Sequence, residues 1–256
     1  MNLLNMDDGP IKHGNYYSSP EEVQVYRQIR ALMAKSPIPE QETLGNLGLF
    51  LTRPSMARLL FMHDLYLKVL PVHGVIMELG VRWGQNLALF STFRTIYEPH
   101  NASRKIIGFD TFAGFPSVAP EDGGFNEQGV CNVTENYEEH LASLLAAHEQ
   151  LAPRAHLKKF ELVKGDVVHT VPAYLEDHKE TVIALAYFDM DLYQPTKAAL
   201  EAIRDRLTKG SILAFDELNM EEFPGETTAV MDTLGLRNLR LVRSPIVPYQ
   251  SYAVIE

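Results

Sequence analysis

The feature that most constrains this chain is a series of short apolar runs that alternate with segments of helical periodicity. The runs are VIMELG at 75–80, IIGFD at 106–110, FELVKG at 160–165, IALAYFDM at 183–190 and SILAFDE at 211–217. Between them lie three helical stretches, at 85–97, 135–150 and 195–207. Continuous apolar strands separated by helices indicate a parallel sheet with both faces covered. Two last runs, at 239–244 and 251–256, flank a proline-containing turn and predict an antiparallel pair at the sheet edge. We therefore predict a doubly wound, Rossmann-like α/β domain.

The N-terminal quarter of the chain has a different pattern. Residues 1–20 are polar and rich in turn formers, which indicates an irregular arm. A helix is predicted to begin after Ser19, because an early proline and an acidic first turn follow it, and a second helix is predicted over 55–70. We accordingly divide the chain into an N-terminal helical extension, 1–65, and the Rossmann-like domain, 66–256.

Charge and composition narrow the classes of partner. The 256 residues carry a formal net charge of −10, and an acidic surface repels phosphate backbones, so we expect no nucleic-acid partner. No run approaches the ~20 apolar residues that a membrane span needs, and no secretion signal is recognisable. A single cysteine, Cys131, excludes an internal disulfide and a cysteine-rich zinc site. We expect a cytoplasmic protein with small-molecule partners.

The first predicted strand runs into a glycine loop that an acidic residue opens, with Glu78, Gly80 and Gly84 in an E-x-G-x-x-x-G pattern. This is not the G-x-G-x-x-G pattern that binds a pyrophosphate, which disfavours a dehydrogenase. A carboxylate here suits a cationic ligand such as S-adenosylmethionine, which carries an ammonium and a sulfonium and no phosphate. Asp110, at the end of the second strand, is positioned to bind the ribose hydroxyls of an adenosine. The alternative is a tight strand-to-helix turn that contains an unrelated glutamate.

Four carboxylates follow the fourth and fifth strands: Asp189, Asp191, Asp216 and Glu217. Uncompensated, they would be unfavourable in a partly dry cleft, so a bound cation is the simplest explanation. Oxygen ligands indicate a hard ion, Mg²⁺ or Ca²⁺. Asp189 and Asp191 alternate by two, so on an extended backbone they point to the same side. The alternative is that these carboxylates cap the helices that follow.

Other chemically capable residues give weaker signals. Three histidines, His63, His73 and His169, are candidate bases, but a lone histidine is more often a surface or core residue. Cys131 has no recognisable histidine partner for nucleophilic catalysis. Trp83, within the glycine loop, either packs on a cofactor or fills the core. The glycine-rich segment 113–134 predicts a lid or a disordered loop.

Five segments together resemble the macrocin O-methyltransferase family of metal-dependent sugar O-methyltransferases from antibiotic pathways. In order over about 70–255 they are VIMELGVRWGQN, IIGFDTFAGFP, VKGDVVHTVP, YFDMDLYQPT and GSILAFDE. FDTFAGFP and DMDLYQPT are the specific ones. The resemblance implies a class I methyltransferase fold, S-adenosylmethionine as the cofactor and a divalent metal ion, for which we expect Mg²⁺. The antiparallel strand predicted at the C-terminus completes this fold.

The resemblance also implies roles for individual residues. Asp189, Asp216 and Glu217 are the expected metal ligands, and Asp191 is the expected general base. The chain departs from the family pattern at Glu217, where a second aspartate is usual, and at Asp166 and His169, where an aromatic residue and an aspartate are usual. The expected cofactor-binding residues are Glu78, Gly80, Arg82, Trp83, Gly84, Asp110, Thr111, Phe112, Gly165, Asp166 and Asp189.

The acceptor that the resemblance implies is a sugar hydroxyl, in the branch that acts on a nucleotide-linked deoxysugar such as TDP-rhamnose. Two alternatives stay open: a catechol or other vicinal diol as acceptor, and a nucleotide-binding module without chemistry. We also predict a homo-oligomer, because the extension carries more apolar side chains than a Rossmann-like core needs. These residues are Leu32, Met33, Leu47, Leu49, Phe50 and Leu51.

Overall fold

The computed structural model describes residues 18–256, so most of the irregular arm predicted at 1–20 lies outside the described residues. The chain divides into two compact units at Arg58 and Leu59. That division falls seven residues before the boundary we place at 65/66, which stays a prediction. None of the helices in the described part of the chain has the length and hydropathy that crossing a bilayer requires.

The described part of the first unit is helical, and its last helix continues past Arg58 into the second unit. Helix α1 (Pro20–Ala34) begins as predicted: the N–H of Glu22 donates to the Ser19 hydroxyl, and the Glu22 carboxylate accepts the N–H of Ser19. This reciprocal pair satisfies two backbone donors that a helix start otherwise leaves open. Helix α2 (Glu40–Thr43) and a 3₁₀ helix at 44–50 follow, and neither they nor α1 bury any residue. Helix α3 (Arg53–Val69) then confirms the helix predicted over 55–70.

The second unit is built on a seven-stranded sheet in the order β3-β2-β1-β4-β5-β7-β6. Its strands are β1 (Val75–Leu79), β2 (Ile106–Asp110), β3 (Phe160–Lys164), β4 (Ile183–Phe188), β5 (Leu207–Phe215), β6 (Val242–Arg243) and β7 (Ser251–Val254). β1 to β5 are parallel to one another, and β7 runs antiparallel to both β5 and β6. All five apolar runs and the predicted antiparallel pair are therefore confirmed as strands.

Five helices connect the strands: α4 (Gln85–Tyr97), α5 (Tyr137–Gln150), α6 (Val167–Asp177), α7 (Tyr193–Ile203) and α8 (Pro224–Thr233). α4, α5 and α7 correspond to predicted helices, whereas α6 and α8 were not predicted. The helix predicted over 195–207 ends at 203, because a 3₁₀ turn at 204–206 leads directly into β5.

The expected position of a ligand site follows from two central strands of the sheet, β1 and β4. Every residue of β1 and β4 is buried, which explains why both read as unbroken apolar runs. The chain moves outward from β1 to β3 and then returns to add β4 and β5 on the other side, so the strand order reverses between β1 and β4. Ligands of open α/β sheets bind beyond the carboxyl ends of the strands at such a point.

Candidate functional site

The glycine loop after β1 lies against the end of β4. Gly80 has φ +91°, and a Cβ at this position would lie 2.0 Å from the carbonyl oxygen of Asp189. The two chain segments can approach this closely only because Gly80 has no side chain. Arg82 and Gly84 also have positive φ, 49° and 77°, and the loop then enters α4.

Asp110 holds the glycine loop in this shape. Its Oδ2 accepts the backbone N–H groups of Val81 and Arg82, each at 2.7 Å, and its Oδ1 accepts the N–H of Phe112 at 2.6 Å. Three charge-assisted hydrogen bonds to this carboxylate fix the loop after β1 and the turn after β2 at the sheet edge. The sequence argument, which assigned Asp110 to a ribose, did not foresee this contact.

Glu78 lies at the same edge and is buried. Its Oε1 accepts a hydrogen bond from the side-chain amide of Asn86 at 2.9 Å, which orients the carboxylate at the carboxyl end of β1. Asn86, in the first turn of α4, was not among the predicted site residues. Its spacing of eight residues from Glu78 carries no recognisable signal in the sequence alone.

Trp83 lies at the rim of the loop and is 44% exposed, so the core-filling alternative is wrong. Its ring makes an edge contact with Tyr137, with centroids 4.8 Å apart. The Tyr137 hydroxyl also donates to the carbonyl oxygen of Trp83 at 3.0 Å. The start of α5 therefore supports the outer side of the glycine loop.

The remaining predicted cofactor residues follow β2 and β3. Thr111 donates to the carbonyl oxygen of Gly114 at 2.7 Å, and Phe112 is buried in a left-handed conformation. The N–H of Gly165 donates to the carbonyl oxygen of Asp110 at 2.9 Å, which brings the ends of the two strands together. Asp166 caps α6 through the N–H of Val168. The structure thus gathers these residues along the carboxyl edge of β1, β2 and β3.

The carboxylates after β4 and β5 converge next to the glycine loop. One oxygen each from Asp189, Asp191 and Glu217 lies within 4.8 Å of the others. Asp191 and Glu217 are buried, and Oε2 of Glu217 accepts no hydrogen bond from any described residue. Burial, followed by repulsion from Asp191, Asp216 and Asp189, raises the pKa of Glu217 well above its ordinary value. Such a group of buried oxygens suits a hard divalent cation.

Asp216, an expected metal ligand, is not one of the three carboxylates whose oxygens lie within 4.8 Å of one another. Its Oδ1 accepts hydrogen bonds from the Tyr187 hydroxyl and, at 2.9 Å, from the side-chain amide of Gln250. Asp191, the expected general base, is the third member of that group, with Asp189 and Glu217. Tyr187 lies in β4 and Gln250 directly precedes β7, so Asp216 is contacted from the two strands that flank β5.

The helix-cap alternative for these carboxylates is not supported. α7 begins after Leu192 without a side-chain cap, although Asp191 directly precedes that residue. α8 begins after Phe223, also without a side-chain cap. The left-handed conformation of Asp191, with φ 63°, costs energy in a non-glycine residue and is typical of functional positions.

Two acidic residues that the sequence argument did not select lie next to this group. Glu226, in the first turn of α8, is 0% exposed, and its Oε2 accepts the N–H of Glu217 at 2.9 Å. Asp122 lies in the 113–134 segment, and its Oδ1 accepts the N–H of Tyr193 at the start of α7. Burial raises the pKa of both carboxyl groups.

The 113–134 segment, predicted as a lid or a disordered loop, is folded back on itself. The N–H of Phe115 donates to the carbonyl oxygen of Val130, and the N–H of Gly129 donates to that of Phe115, each at 2.9 Å. A 3₁₀ turn at Pro120–Asp122 lies within the loop so closed. Asp122 ties this turn to the residues that follow Asp191.

None of the weaker candidates, all of which lie in the described part of the chain, belongs to the group of three carboxylates. Among the described residues, the group of Asp189, Asp191 and Glu217 is the only set of three histidine, cysteine or acidic side chains close enough to share an ion. His63 makes a hydrogen bond of 2.6 Å with Tyr97, and its ring contacts Phe93. His73 and His169 are exposed, and Cys131 is half-buried outside this group.

Comparisons with known proteins give consistent matches. The family model for macrocin-O-methyltransferase matches residues 55–254. A crystal structure of CalS11, calicheamicin methyltransferase, is 48% identical, with a TM-score of 0.90, and the match covers 93% of this chain and 94% of that chain. An apo structure of CalS11, described as a TDP-rhamnose 3'-O-methyltransferase, is 46% identical with a TM-score of 0.84, covering 93% of this chain and 96% of that one.

More distant relatives agree. The O-methyltransferase NovP is 17% identical with a TM-score of 0.59, covering 78% of this chain and 79% of that chain, and shows the shared fold alone. A curated relative from Streptomyces olivaceus, 8-demethyl-8-(2,3-dimethoxy-alpha-L-rhamnosyl)-tetracenomycin-C 4'-O-methyltransferase, is 26% identical over 151 residues. That match covers 57% of this chain and spans about half, 53%, of the relative. The predicted class I methyltransferase fold is confirmed.

Proposed function

The chain belongs to the macrocin-O-methyltransferase family, and we propose that it transfers a methyl group from S-adenosylmethionine to a sugar hydroxyl with the help of a divalent ion. The observation that carries this proposal is the group formed by Asp189, Asp191 and Glu217. It lies against the acidic glycine loop, at the edge of the sheet where such folds bind ligands. A methyl donor and a chelated acceptor would therefore meet at one place.

The proposed acceptor is a nucleotide-linked deoxysugar such as TDP-rhamnose, in the biosynthesis of an antibiotic. Support comes from the similarity to a TDP-rhamnose 3'-O-methyltransferase across 93% of this chain. The name of the more distant Streptomyces olivaceus relative also specifies methylation of a rhamnosyl group. No observation on the site favours a catechol, so the sugar is the acceptor we propose.

The cofactor site that we propose consists of the residues gathered along β1, β2 and β3. When bound, S-adenosylmethionine supplies a methyl group on a positively charged sulfur. Glu78 provides a buried negative charge that suits this cation, and Gly80 lets the backbone approach closely. Asp110 retains one acceptor site, on Oδ1, for a ribose hydroxyl, because each carboxylate oxygen accepts about two hydrogen bonds and Oδ2 already accepts those of Val81 and Arg82. Asp166, beside Gly165, is proposed to contact the adenine amine.

The proposed metal ligands are Asp189, Asp216 and Glu217, and Mg²⁺ is the ion that their oxygens suit. The unsatisfied Oε2 of the buried Glu217 is the feature that fits a cation. When bound, the ion supplies Lewis acidity, which lowers the pKa of the acceptor hydroxyl and fixes its orientation. Asp216 has the hydroxyl of Tyr187 and the amide of Gln250 to hold its carboxylate in place.

Asp191 is the proposed general base. Its carboxylate lies within 4.8 Å of ligand oxygens on Asp189 and Glu217, so a hydroxyl held at the group is within its reach. The 113–134 loop is proposed to cover the pocket and exclude water. Its anchor at Asp122, on the N–H of Tyr193, ties the loop to the segment that carries Asp191.

We also propose that the protein is a cytoplasmic homo-oligomer. The helical elements between residues 20 and 50 bury no residue. Large apolar side chains there are exposed, including Leu44 at 82% and Leu49 at 68%. An apolar surface of this kind is typical of a protein interface. A single half-buried cysteine agrees with a reducing compartment.

The test is mass spectrometry of reactions that contain S-adenosylmethionine and Mg²⁺ with a panel of TDP-sugars and, as a matched alternative, a catechol. We expect one TDP-deoxysugar to gain the mass of a single CH₂ group and the catechol to remain unchanged. Methylation of the catechol alone would contradict the sugar acceptor. Cofactor binding without any product across the panel would favour the nucleotide-binding module.

A further inference from the structure

The proposed function leaves Glu226 without a role, although this residue lies beside the proposed metal ligand Glu217. Its side chain is fully buried in the first turn of α8. Oε2 accepts the N–H of Glu217 at 2.9 Å, and Oε1 accepts no hydrogen bond from any described residue. The hydrogen bond that the structure gives this buried side chain therefore goes to the backbone of a proposed metal ligand.

The hydrogen bond from the Glu217 N–H to Glu226 holds the backbone just after the end of β5. β5 ends at Phe215, and Asp216 and Glu217 follow it without belonging to a regular element. Residues 218–223 then lead to α8, so the hydrogen bond between Glu217 and Glu226 joins the two ends of this connecting segment. Because the bond is made to the backbone of Glu217, it sets where that residue's side chain begins.

The same turn of α8 also contacts the segment that carries Asp191. A Cβ on Gly225 would lie 3.0 Å from the carbonyl oxygen of Asp191 and 2.7 Å from the backbone nitrogen of Tyr193. The left-handed conformation of Asp191 persists only if its surroundings hold it. Gly225 and Glu226 thus touch the two segments whose carboxylates meet in the site, one residue contacting each segment.

From this juxtaposition we infer that the first turn of α8 sets the spacing between Asp191 and Glu217, and that Glu226 is the positioning residue for Glu217. The inference rests on the proposed function, because it concerns a residue that would hold the metal. Glu226 acts through the hydrogen bond that it accepts from the Glu217 N–H, and not through direct contact with the ion. Supporting residues of this kind are commonly worth 10–100-fold in metal affinity.

Two substitutions of Glu226 separate the effect of its side-chain length, here called its reach, from the effect of its charge. Glu226→Gln keeps the length of the side chain and a carbonyl oxygen that accepts the Glu217 N–H, but removes the charge. Glu226→Asp keeps the charge but withdraws the carboxylate by one carbon–carbon bond, about 1.5 Å, which breaks a hydrogen bond of ordinary length. Glu226→Met fills the space without a strong acceptor and repeats the loss of the bond in case the aspartate variant does not fold. The control is Thr227→Val, which removes the neighbouring contact between α8 and the N–H of Asn219.

The measurement is binding of Mn²⁺ by electron paramagnetic resonance, with S-adenosylhomocysteine present, so that no turnover is involved. We expect Glu226→Asp and Glu226→Met to bind Mn²⁺ about 10–100-fold more weakly than the unchanged protein. We expect Glu226→Gln to bind at least tenfold more tightly than these two, and Thr227→Val to bind normally. Unchanged binding of S-adenosylhomocysteine by calorimetry verifies that each variant is folded.

Two outcomes overturn the inference while the proposed metal site stands. In one, all three Glu226 variants bind Mn²⁺ as the unchanged protein does. In the other, Glu226→Gln is weakened as much as Glu226→Asp, which makes the charge and not the reach decisive. If the unchanged protein itself binds no Mn²⁺, the metal part of the proposed function fails first.

Discussion

The carboxylate of Asp110 accepts the backbone N–H of Arg82 at 2.7 Å, so the end of β2 fixes the loop that follows β1. The same carboxylate accepts the N–H groups of Val81 and Phe112. A residue expected to bind a ribose therefore also shapes the loop on which the cofactor would rest. Because Asp110 has both roles, its removal is expected to change both the stability of the protein and its affinity for the cofactor, and these two quantities can be measured separately.

We predict that Asp110→Ala both destabilises the protein and weakens cofactor binding. Three backbone N–H groups lose their acceptor, and leaving such partly buried donors unpaired costs about 1–3 kcal/mol each when water does not replace the carboxylate. Calorimetry with S-adenosylhomocysteine should show weaker binding, and urea unfolding a lower midpoint. Ser19→Ala serves as a control, because it removes the side-chain cap of α1, outside the proposed cofactor site, and should cost about 1 kcal/mol of stability. Unchanged affinity in Asp110→Ala would count against the site.

We predict that Gly225→Ala disturbs the site through packing. The added Cβ would lie 2.2 Å from Oδ1 of Asp122 and 2.7 Å from the backbone nitrogen of Tyr193, and neither neighbour can move without breaking their hydrogen bond. Overpacking of this kind costs about 1–3 kcal/mol. Thermal unfolding should show a lower Tm, together with a loss of methyl transfer. Gly124→Ala is the matched control, since nothing lies within 4 Å of its Cβ; equal Tm values for the two variants would contradict the packing argument.

The sequence predicted the sheet well because a parallel strand covered on both faces must be apolar throughout its length. β1 and β4 are buried at every position, and both stand out in the sequence for that reason. α6 was missed because it contains Pro172, which is unfavourable inside a helix. α8 was missed because its apolar residues, such as Ala229 and Val230, form no extended periodic face.

The residues of the candidate site could be brought together from the sequence only where they end a strand or directly follow one. Glu78, Asp110 and Asp189 could be placed at one edge, because the ends of parallel strands meet there. Asp122 and Glu226 could not, since each is brought to the site by a helix or loop whose position depends on tertiary packing. Asp122 pairs with Tyr193, 71 residues away, and no local pattern records a contact of that range.

We predict an acid-sensitive contribution to stability from Glu98. Burial alone would raise the pKa of this carboxyl group, but hydrogen bonds from Arg104, Tyr66 and Asn101 outweigh burial and hold the pKa below its ordinary value. The contribution is therefore complete above the pKa of an unfolded glutamate and is lost as the pH falls through the lowered pKa. Urea unfolding between about pH 5 and pH 3 should show a shallower decline for Glu98→Gln than for the unchanged protein.

The control for that experiment is Glu201→Gln, an exposed residue of α7, which removes the same charge without that network. Its stability should decline with pH as steeply as that of the unchanged protein. Parallel curves for Glu98→Gln and the unchanged protein would show that the hydrogen bonds around Glu98 do not couple folding to its ionisation.

We predict that the protein has a mass in solution that is a multiple of 28.9 kDa. Leu44 and Leu49 are the most exposed large apolar residues in the described part of the first unit, and burial of such side chains is what favours association. Light scattering at micromolar concentration should give the oligomer, and lysine at either position should shift it toward the single chain. Leu151→Lys, at an equally exposed leucine of the second unit, should have no effect. A mass of 28.9 kDa for the unchanged protein would refute the prediction.

We predict that activity requires a divalent ion and that Asp189→Asn or Asp216→Asn abolishes both metal binding and turnover. Each substitution removes a negatively charged oxygen from the proposed ligands, while the contacts of Glu78 and Asp110 in the cofactor site are unchanged. Mn²⁺ binding should be lost and S-adenosylhomocysteine binding should be largely retained. Full turnover after treatment with EDTA would rule out the metal.

Asp191 should behave differently from those ligands, and the difference is the sharpest test of the assigned roles. As the general base, Asp191→Asn should leave Mn²⁺ and S-adenosylhomocysteine bound, yet slow methyl transfer by about 10²–10⁴-fold. The geometry makes the opposite result informative, because an oxygen of Asp191 lies within 4.8 Å of ligand oxygens on Asp189 and Glu217, whereas Asp216 has its Oδ1 engaged by Tyr187 and Gln250. If Asp191→Asn loses the metal and Asp216→Asn keeps it, the two aspartates exchange roles. The proton must then be taken by another group, since an oxygen that binds the ion is a poor base.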